Sequence, residues 1–135
     1  MKKILILSTI SLLVLISCEE DIIKPENHKP IIFSLTAFPD VVSPSDSVII
    51  ICNAMDPDAD TLVYDWFTDG KSKIKGAQYP DNILYHTYEN SRVVYPEDNI
   101  ILPDTLWLHC DARDVKGESV GKSVSFIVRL DSIDN

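Results

Sequence analysis

The stretch CNAMDPDADTLVYDW, residues 52–66, decides the fold because it places an aspartate-rich turn between two short runs of strand-forming residues. Apolar side chains alternate on both sides of this turn: Val48, Ile50 and Cys52 before it, and Leu62, Tyr64 and Trp66 after it. Alternate residues of a strand point to the same face of a sheet. The stretch therefore predicts two consecutive strands, each with one apolar face.

The same alternation recurs in two later runs of the chain. These are Leu106, Leu108 and Cys110, and then Val124, Phe126, Val128 and Leu130. No long stretch has the 3.6-residue period of a helix, and turn residues interrupt the chain at short intervals. The strands are predicted near 31–38, 47–54, 61–68, 91–95, 105–112 and 121–130, with weaker candidates at 72–75 and 83–88. Consistent inward faces predict an all-β domain with one core, which contains Tyr64, Trp66, Leu108 and Phe126.

The N-terminus has the features of an export signal. Lys2 and Lys3 precede the apolar run 4–16, which is shorter than the roughly 20 residues that span a bilayer. The sequence Leu15-Ile16-Ser17-Cys18 resembles the lipobox of bacterial lipoproteins, and this resemblance implies cleavage before Cys18 and acylation of that residue. The alternative is an ordinary secretory signal that ends near a cysteine.

Localisation follows from the residues after the lipobox. Glu19-Glu20-Asp21 resembles the acidic run that sends some lipoproteins to the outer face of the outer membrane, which implies an outer membrane lipoprotein exposed on the cell surface. A periplasm-facing protein with a solvated tether is the alternative. The predicted organisation is a signal peptide at 1–17, an acylated cysteine with a flexible tether at 18–29, one domain at 30–131 and a tail at 132–135.

Two cysteines remain once Cys18 is assigned to the lipid. An even pair in an exported chain favours a disulfide between Cys52 and Cys110. Zinc is disfavoured, because neither cysteine has a second Cys or His at ligand spacing.

Cys52, Trp66 and Cys110 together resemble the immunoglobulin pattern, in which a disulfide between strands B and F packs against a tryptophan on strand C. The segments 54–66 and 111–117 resemble those of PKD-like and Ig-like domains of bacterial surface proteins, although Ala59 stands where glycine is common. The resemblance covers residues 29–130. It implies an Ig-like, two-sheet antiparallel β-sandwich of about seven strands.

The aspartates of the turn admit two interpretations. An EF-hand is excluded, because the sixth position from Asp56 is Thr61 and the twelfth is Phe67, where that loop needs glycine and glutamate. Aspartates commonly cap tight turns, so we expect a structural turn and no cofactor. The alternative is a non-EF calcium site, whose candidate ligands are Asp56, Asp58, Asp60 and Asp114.

Period-two alternation points Trp107 and His109 outward, beside Phe67 and Ile127 on the neighbouring strands. Exposed aromatic patches often mark partner surfaces, so these four residues form a candidate binding face. The alternative is that the segment 69–100 folds back over them with its four tyrosines, Tyr79, Tyr85, Tyr88 and Tyr95.

Charge and motifs restrict the possible functions. The formal net charge of −9 disfavours nucleic acid as a partner. The common hydrolase and phosphate-binding motifs are absent from the sequence, so we expect no catalysis. The sequence predicts a lipid-anchored envelope module that binds a protein or a glycan, with contact to the membrane through its anchor. A structural spacer or accessory subunit of an outer-membrane complex is the alternative.

Overall fold

The computed structural model describes residues 25–77 and 85–130, which contain nine strands. The strands are β1 (Ile31–Phe38), β2 (Val41–Val42), β3 (Val48–Met55), β4 (Val63–Thr68), β5 (Ser72–Ile74), β6 (Tyr85–Thr87), β7 (Ser91–Pro96), β8 (Asp104–Arg113) and β9 (Ser119–Val128). The predicted signal peptide, Cys18 and the tail 132–135 lie outside the described residues. Over the described ranges, no helix is long and apolar enough to cross a membrane.

The strands form two sheets that pack face to face. One sheet has the order β1-β3-β7-β5 and the other has the order β2-β9-β8-β4-β6. All pairs are antiparallel except the two-residue pair of β2 with β9. The predicted all-β, Ig-like sandwich is confirmed. The described residues contain more strands than the expected seven, and three of the nine, β2, β5 and β6, are short strands at the sheet edges.

The core fills the space between the sheets and follows the predicted alternation. Tyr64 and Trp66 of β4, Leu108 of β8 and Phe126 of β9 are all buried in it. Alternate residues of β3 join them from the opposite sheet, since Val48, Ile50 and Cys52 are fully buried.

The prediction that Leu130 points into the core is wrong, because its side chain is 70% exposed. Strand β9 ends at Val128, and the next backbone amide, that of Arg129, donates to the Val42 carbonyl at 3.0 Å. The alternation of inward and outward residues ends with the strand that produces it.

Cys52 and Cys110 face each other across the core as two buried thiols. Their side chains are joined by a hydrogen bond, which lowers the pKa of Cys52. The same bond, together with burial, raises the pKa of Cys110 well above its ordinary value. The disulfide between them stays a prediction.

Ala59 has φ of 61°, which is the left-handed region that glycine enters without strain. This conformation closes the turn after Asp56, where the Ala59 amide donates to the Asp56 carbonyl at 3.1 Å. The turn therefore explains why glycine is common at this position in the domains that the segment resembles.

Candidate functional site

The outer surface of the five-stranded sheet carries the four residues of the predicted binding face. Register places Phe67 of β4 opposite His109 of β8, which in turn lies opposite Ser123 of β9. Trp107 lies two residues before His109 on β8 and is 52% exposed. Ile127 of β9 is also exposed on this side. We call this surface, defined by Phe67, Trp107, His109, Asp111, Ser123 and Ile127, the outer face.

Trp107 is held by its backbone, which leaves its indole ring exposed. Its amide donates to Asp69 Oδ2 at 2.9 Å, and the Asp69 amide donates back to the Trp107 carbonyl at 3.2 Å. Beside the ring lies a shallow depression of about 190 Å³, lined by residues that include Phe67, His109 and Ser123. The sheet thus presents an aromatic ring at a small depression that both apolar and polar side chains line.

A row of polar side chains crosses β8 and β9 next to this depression. His109 Nδ1 is 2.8 Å from Ser123 Oγ, and His109 Nε2 is 3.0 Å from Asp111 Oδ1. Gly121 lies beneath, and a Cβ there would stand 2.5 Å from His109 Nε2 and 2.2 Å from Asp111 Oδ1. Only glycine, which has no Cβ, leaves room at position 121 for the His109 and Asp111 side chains to lie across β9.

The order Ser123, His109, Asp111 resembles that of a nucleophile, a base and an orienting acid. All three side chains remain in contact with solvent, however, whereas the acid of such a triad is buried and acts in a water-excluded site. In this setting the row can donate and accept hydrogen bonds to a ligand's hydroxyl groups.

The described part of the segment 69–100 leaves the outer face open at Trp107. Strand β6 pairs with the edge of β4, and its Tyr85 packs partly against the core. Tyr88 and Tyr95 are exposed, and Tyr79 lies outside the described residues.

Strand β6 instead extends the sheet beyond β4, where its His86 belongs to a charged group. Buried Asp65 of β4 holds His86 Nδ1 at 2.6 Å through Oδ1 and Arg113 at 2.6 Å through Oδ2. This group closes the β6 side of the outer face.

Three of the four candidate calcium ligands come together at one end of the sandwich. Asp56 and Asp60 from the β3–β4 turn and Asp114 from the β8–β9 turn each place a carboxylate oxygen within 4.8 Å of the others. Asp58 turns away and accepts bonds from the His28 amide at 2.6 Å and from His28 Nδ1 at 3.0 Å. This contact raises the pKa of His28 and lowers that of Asp58.

The hydrogen bonds at Asp114 keep its carboxylate charged. Burial raises the pKa of Asp114, but hydrogen bonds from the Asn27 side chain and from the backbone amides of its own turn outweigh burial and lower it. Lys116 Nζ is 2.8 Å from Asp60 Oδ2, and this contact raises the pKa of Lys116.

Sequence reasoning placed Phe67, Trp107, His109 and Ile127 on one surface but missed the neighbouring Asp111, Ser123 and Gly121. Alternation shows which residues of one strand point outward, but it gives no register between strands. A glycine inside the apolar pattern of the last strand was the one available signal, since such a glycine often marks a close approach.

Comparison with known proteins relates the chain to solved β-sandwich structures. Its sequence matches no protein-family model and no curated protein. The structure is similar to a solved chain described in work on the promiscuous specificity of carbohydrate-binding modules from the β-sandwich superfamily. The TM-score is 0.56 with 20% identity, over 82% of this chain and 38% of that chain. The PKD1 domain of Vibrio anguillarum Epp gives a TM-score of 0.48 with 15% identity, over 78% of this chain and 99% of that chain.

The likeness to the first of these structures establishes the class of fold. The chain contains an Ig-like β-sandwich domain. The present chain spans well under half the length of that solved chain.

Proposed function

We propose that this protein is a lipid-anchored, non-catalytic module of the cell envelope that binds a neutral glycan through the outer face. The observation that carries the proposal is the half-exposed Trp107 at a shallow depression lined by both apolar and polar side chains. A large aromatic ring that remains exposed on a rigid sheet is a typical anchor for a partner.

The chemistry of the outer face fits a sugar ring. A pyranose has a face of C–H groups, which can lie on the electron-rich face of an indole ring. Its hydroxyl groups extend from the ring edge, where His109, Asp111 and Ser123 offer both donors and acceptors. The net charge of −9 disfavours an anionic glycan.

The similarity to a carbohydrate-binding module supports this proposal over a protein partner. That neighbour has the same fold, and its class binds carbohydrate. The depression of about 190 Å³ is also small and open, which suits one sugar unit of a chain better than a buried protein side-chain cluster.

Trp107→Ala is expected to weaken binding of a neutral polysaccharide at least about tenfold, because the variant loses the stacking surface. Affinity electrophoresis in gels that contain soluble xyloglucan, mixed-linkage β-glucan or mannan measures this loss as a loss of retardation. The matched control is Phe33→Ala. Phe33 lies in β1 of the opposite sheet and is 55% exposed, which is close to the exposure of Trp107.

A second variant tests the polar row separately from the ring. Gly121→Ala displaces the His109 and Asp111 side chains while Trp107 stays in place, so it should also weaken binding. Retardation of Trp107→Ala equal to that of the parent would contradict the proposed site. The other contrary outcome has two parts: no neutral glycan retards the parent protein, and the parent captures a protein partner that Trp107→Ala does not capture. In that case the outer face binds a protein and not a glycan.

The membrane anchor is proposed from the lipobox resemblance at residues 15–18. Cys18→Ala is expected to move the protein from the membrane pellet to the soluble fraction, because several acyl chains, at about 0.8 kcal/mol per buried methylene, provide stable attachment. Fractionation after a high-salt wash measures the shift, and Cys52→Ala serves as a cysteine control that stays in the pellet. A Cys18→Ala protein that remains fully in the pellet would refute the lipid anchor.

A further inference from the structure

The carboxylates of Asp56, Asp60 and Asp114 meet at the end of the sandwich where the β3–β4 and β8–β9 turns lie together. Two of these residues are almost completely buried, since Asp56 is 6% exposed and Asp114 is 3% exposed. Carboxylates are rarely buried without a compensating partner, because removing charge from water is costly.

Turn capping accounts for one oxygen of each buried aspartate. Asp56 Oδ1 accepts from the amides of Asp58 at 2.8 Å and Asp60 at 3.3 Å. Asp114 Oδ1 accepts from the amides of Lys116 at 2.8 Å and Glu118 at 2.9 Å. These bonds shape the two turns, and they leave the second oxygen of each carboxylate, Oδ2, outside the turn.

Turn capping does not account for the burial of the second oxygen of Asp56. Over residues 25–77 and 85–130, Asp56 Oδ2 is shielded from solvent and has no hydrogen-bond partner, and the same is true of Asn27 Oδ1. The Asn27 side chain reaches this group, because its Nδ2 donates to Asp114 Oδ2 at 2.7 Å. A buried carboxylate oxygen without a partner carries the full cost of its desolvation. A cation bound at this oxygen would offset that cost.

We propose that these residues form a calcium site, with oxygen ligands from Asp56, Asp60 and Asp114 and an amide oxygen from Asn27. Calcium takes six to eight oxygen ligands at 2.3–2.6 Å. Two ligands on opposite sides of the ion are then about 4.6–5.2 Å apart, so three carboxylate oxygens within 4.8 Å of one another can all reach one calcium ion. Magnesium is disfavoured because it keeps several waters and needs a tighter octahedron.

Lys116 is the competitor for this position. Its ammonium pairs with Asp60, but one positive charge stands against three carboxylates. The Lys116 side chain is about half exposed, so it can withdraw into water when a cation enters. A cavity of about 440 Å³, lined by Pro25, Asn27, Lys116 and Glu118, opens beside the cluster and provides the entry path.

Calcium would connect three parts of the chain that are distant in sequence. Asn27 precedes β1, whereas the aspartates belong to the two turns at the same end of the sheets. The ion would therefore fix the segment before the domain to the domain itself. Competition with Lys116 and the small number of charged ligands favour a dissociation constant of about 0.1–1 mM, the range of extracellular calcium modules.

Isothermal titration calorimetry of the purified protein with calcium chloride, after treatment with a chelator, tests the site. We expect saturable binding of one ion and a weaker or absent response to magnesium chloride. At a calcium concentration about ten times the dissociation constant, the thermal unfolding midpoint should rise by about 5 °C. Neither readout depends on glycan binding.

Three variants make the test specific. Asp56→Asn keeps the Oδ1 acceptor that caps the turn but replaces the free carboxylate oxygen by an amide nitrogen, so it should lose at least about tenfold in calcium affinity. Asp46→Asn makes the same change in another turn and should bind calcium like the parent. Lys116→Met removes the competitor and should bind about threefold more tightly or better.

Two outcomes would overturn the proposal. One is the absence of heat and of any midpoint shift in the parent at 5 mM calcium. The other is an unchanged calcium response in Asp56→Asn. If calcium fails to bind and Lys116→Met lowers stability, the cluster is an internal ion-pair network that Lys116 completes.

Discussion

Trp66→Ala is expected to lower the free energy of unfolding by about 4 kcal/mol, which is a large part of the 5–15 kcal/mol that stabilises a domain. The indole ring is 0% exposed and lies 6.3 Å from the Tyr64 ring at an interplanar angle of 27°. Register also places Trp66 opposite Cys110 on β8. Truncation therefore opens a cavity where the two sheets pack, and neighbouring β-strands have little freedom to close it.

Trp66→Phe should cost much less than Trp66→Ala, and the reason lies in the indole nitrogen. Within the described residues Trp66 Nε1 is buried and makes no hydrogen bond. Phenylalanine removes that unpaired donor while it keeps most of the apolar volume. The loss in unfolding free energy should be about 1–2 kcal/mol.

Urea denaturation followed by far-UV circular dichroism measures both variants without relying on tryptophan fluorescence. Trp107→Ala is the matched control, because it removes the other tryptophan from an exposed position and should cost less than about 1 kcal/mol. Equal destabilisation by Trp66→Ala and Trp107→Ala would contradict the assignment of one ring to the core and the other to the outer face.

The contrast between these tryptophans shows what alternation can predict. In the strands that contain Trp66 and Trp107, apolar residues that face the core occupy every second position. Trp66 stands at one of these positions and Trp107 stands between two of them, so alternation alone predicts the face of each ring. The long strands β1, β3, β4, β8 and β9 were all located within two residues at each end. In β3, β4, β8 and β9 the alternating apolar residues extend over at least five positions, which suffices to define a period of two. In β1 a register shift between Ile32 and Ser34 interrupts the alternation.

The short strands β5 and β6 agree with the weaker candidates at 72–75 and 83–88, but the shortest strand and the cross-strand contacts were not predictable from alternation. Strand β2 has two residues, too few for a pattern, and its parallel partner β9 lies far along the chain. The burial of Asp65 depends on β6, which brings His86 beside it, and on Arg113 of β8. Such contacts depend on register and sheet order, which the spacing of residues within one strand does not determine.

The candidate calcium group lies between these two cases. The aspartates of the β3–β4 turn are evident in the sequence, and so is Asp114 in the later turn. The structure adds that both turns lie at the same end of the sandwich and that Asn27 reaches them. No spacing rule connects Asn27 with Asp114, because their contact depends on where the chain enters β1.

Formation of a Cys52–Cys110 disulfide is expected to stabilise the domain by about 4 kcal/mol. The bond would close a loop of about 60 residues, and its effect in the chain-entropy model comes from restricting the unfolded chain. In the reaction the two thiols lose two protons and two electrons to an oxidant.

Burial of both cysteines determines when the bond can form. Each is 0% exposed, so an oxidant cannot reach the thiols of the folded domain. We expect little oxidation when reduced, folded protein is exposed to oxidised glutathione, and efficient oxidation when the protein refolds in its presence. Mass spectrometry after alkylation distinguishes the two products, and urea denaturation measures the gain in stability.

The double variant Cys52→Ala, Cys110→Ala provides the control for this experiment. It should show no difference in unfolding free energy between oxidising and reducing conditions, whereas the parent should show about 4 kcal/mol. A parent protein with the same stability in both conditions, and with both thiols alkylated after oxidative refolding, would contradict the disulfide. In that case the two thiols would serve the core as small apolar side chains, joined by their hydrogen bond.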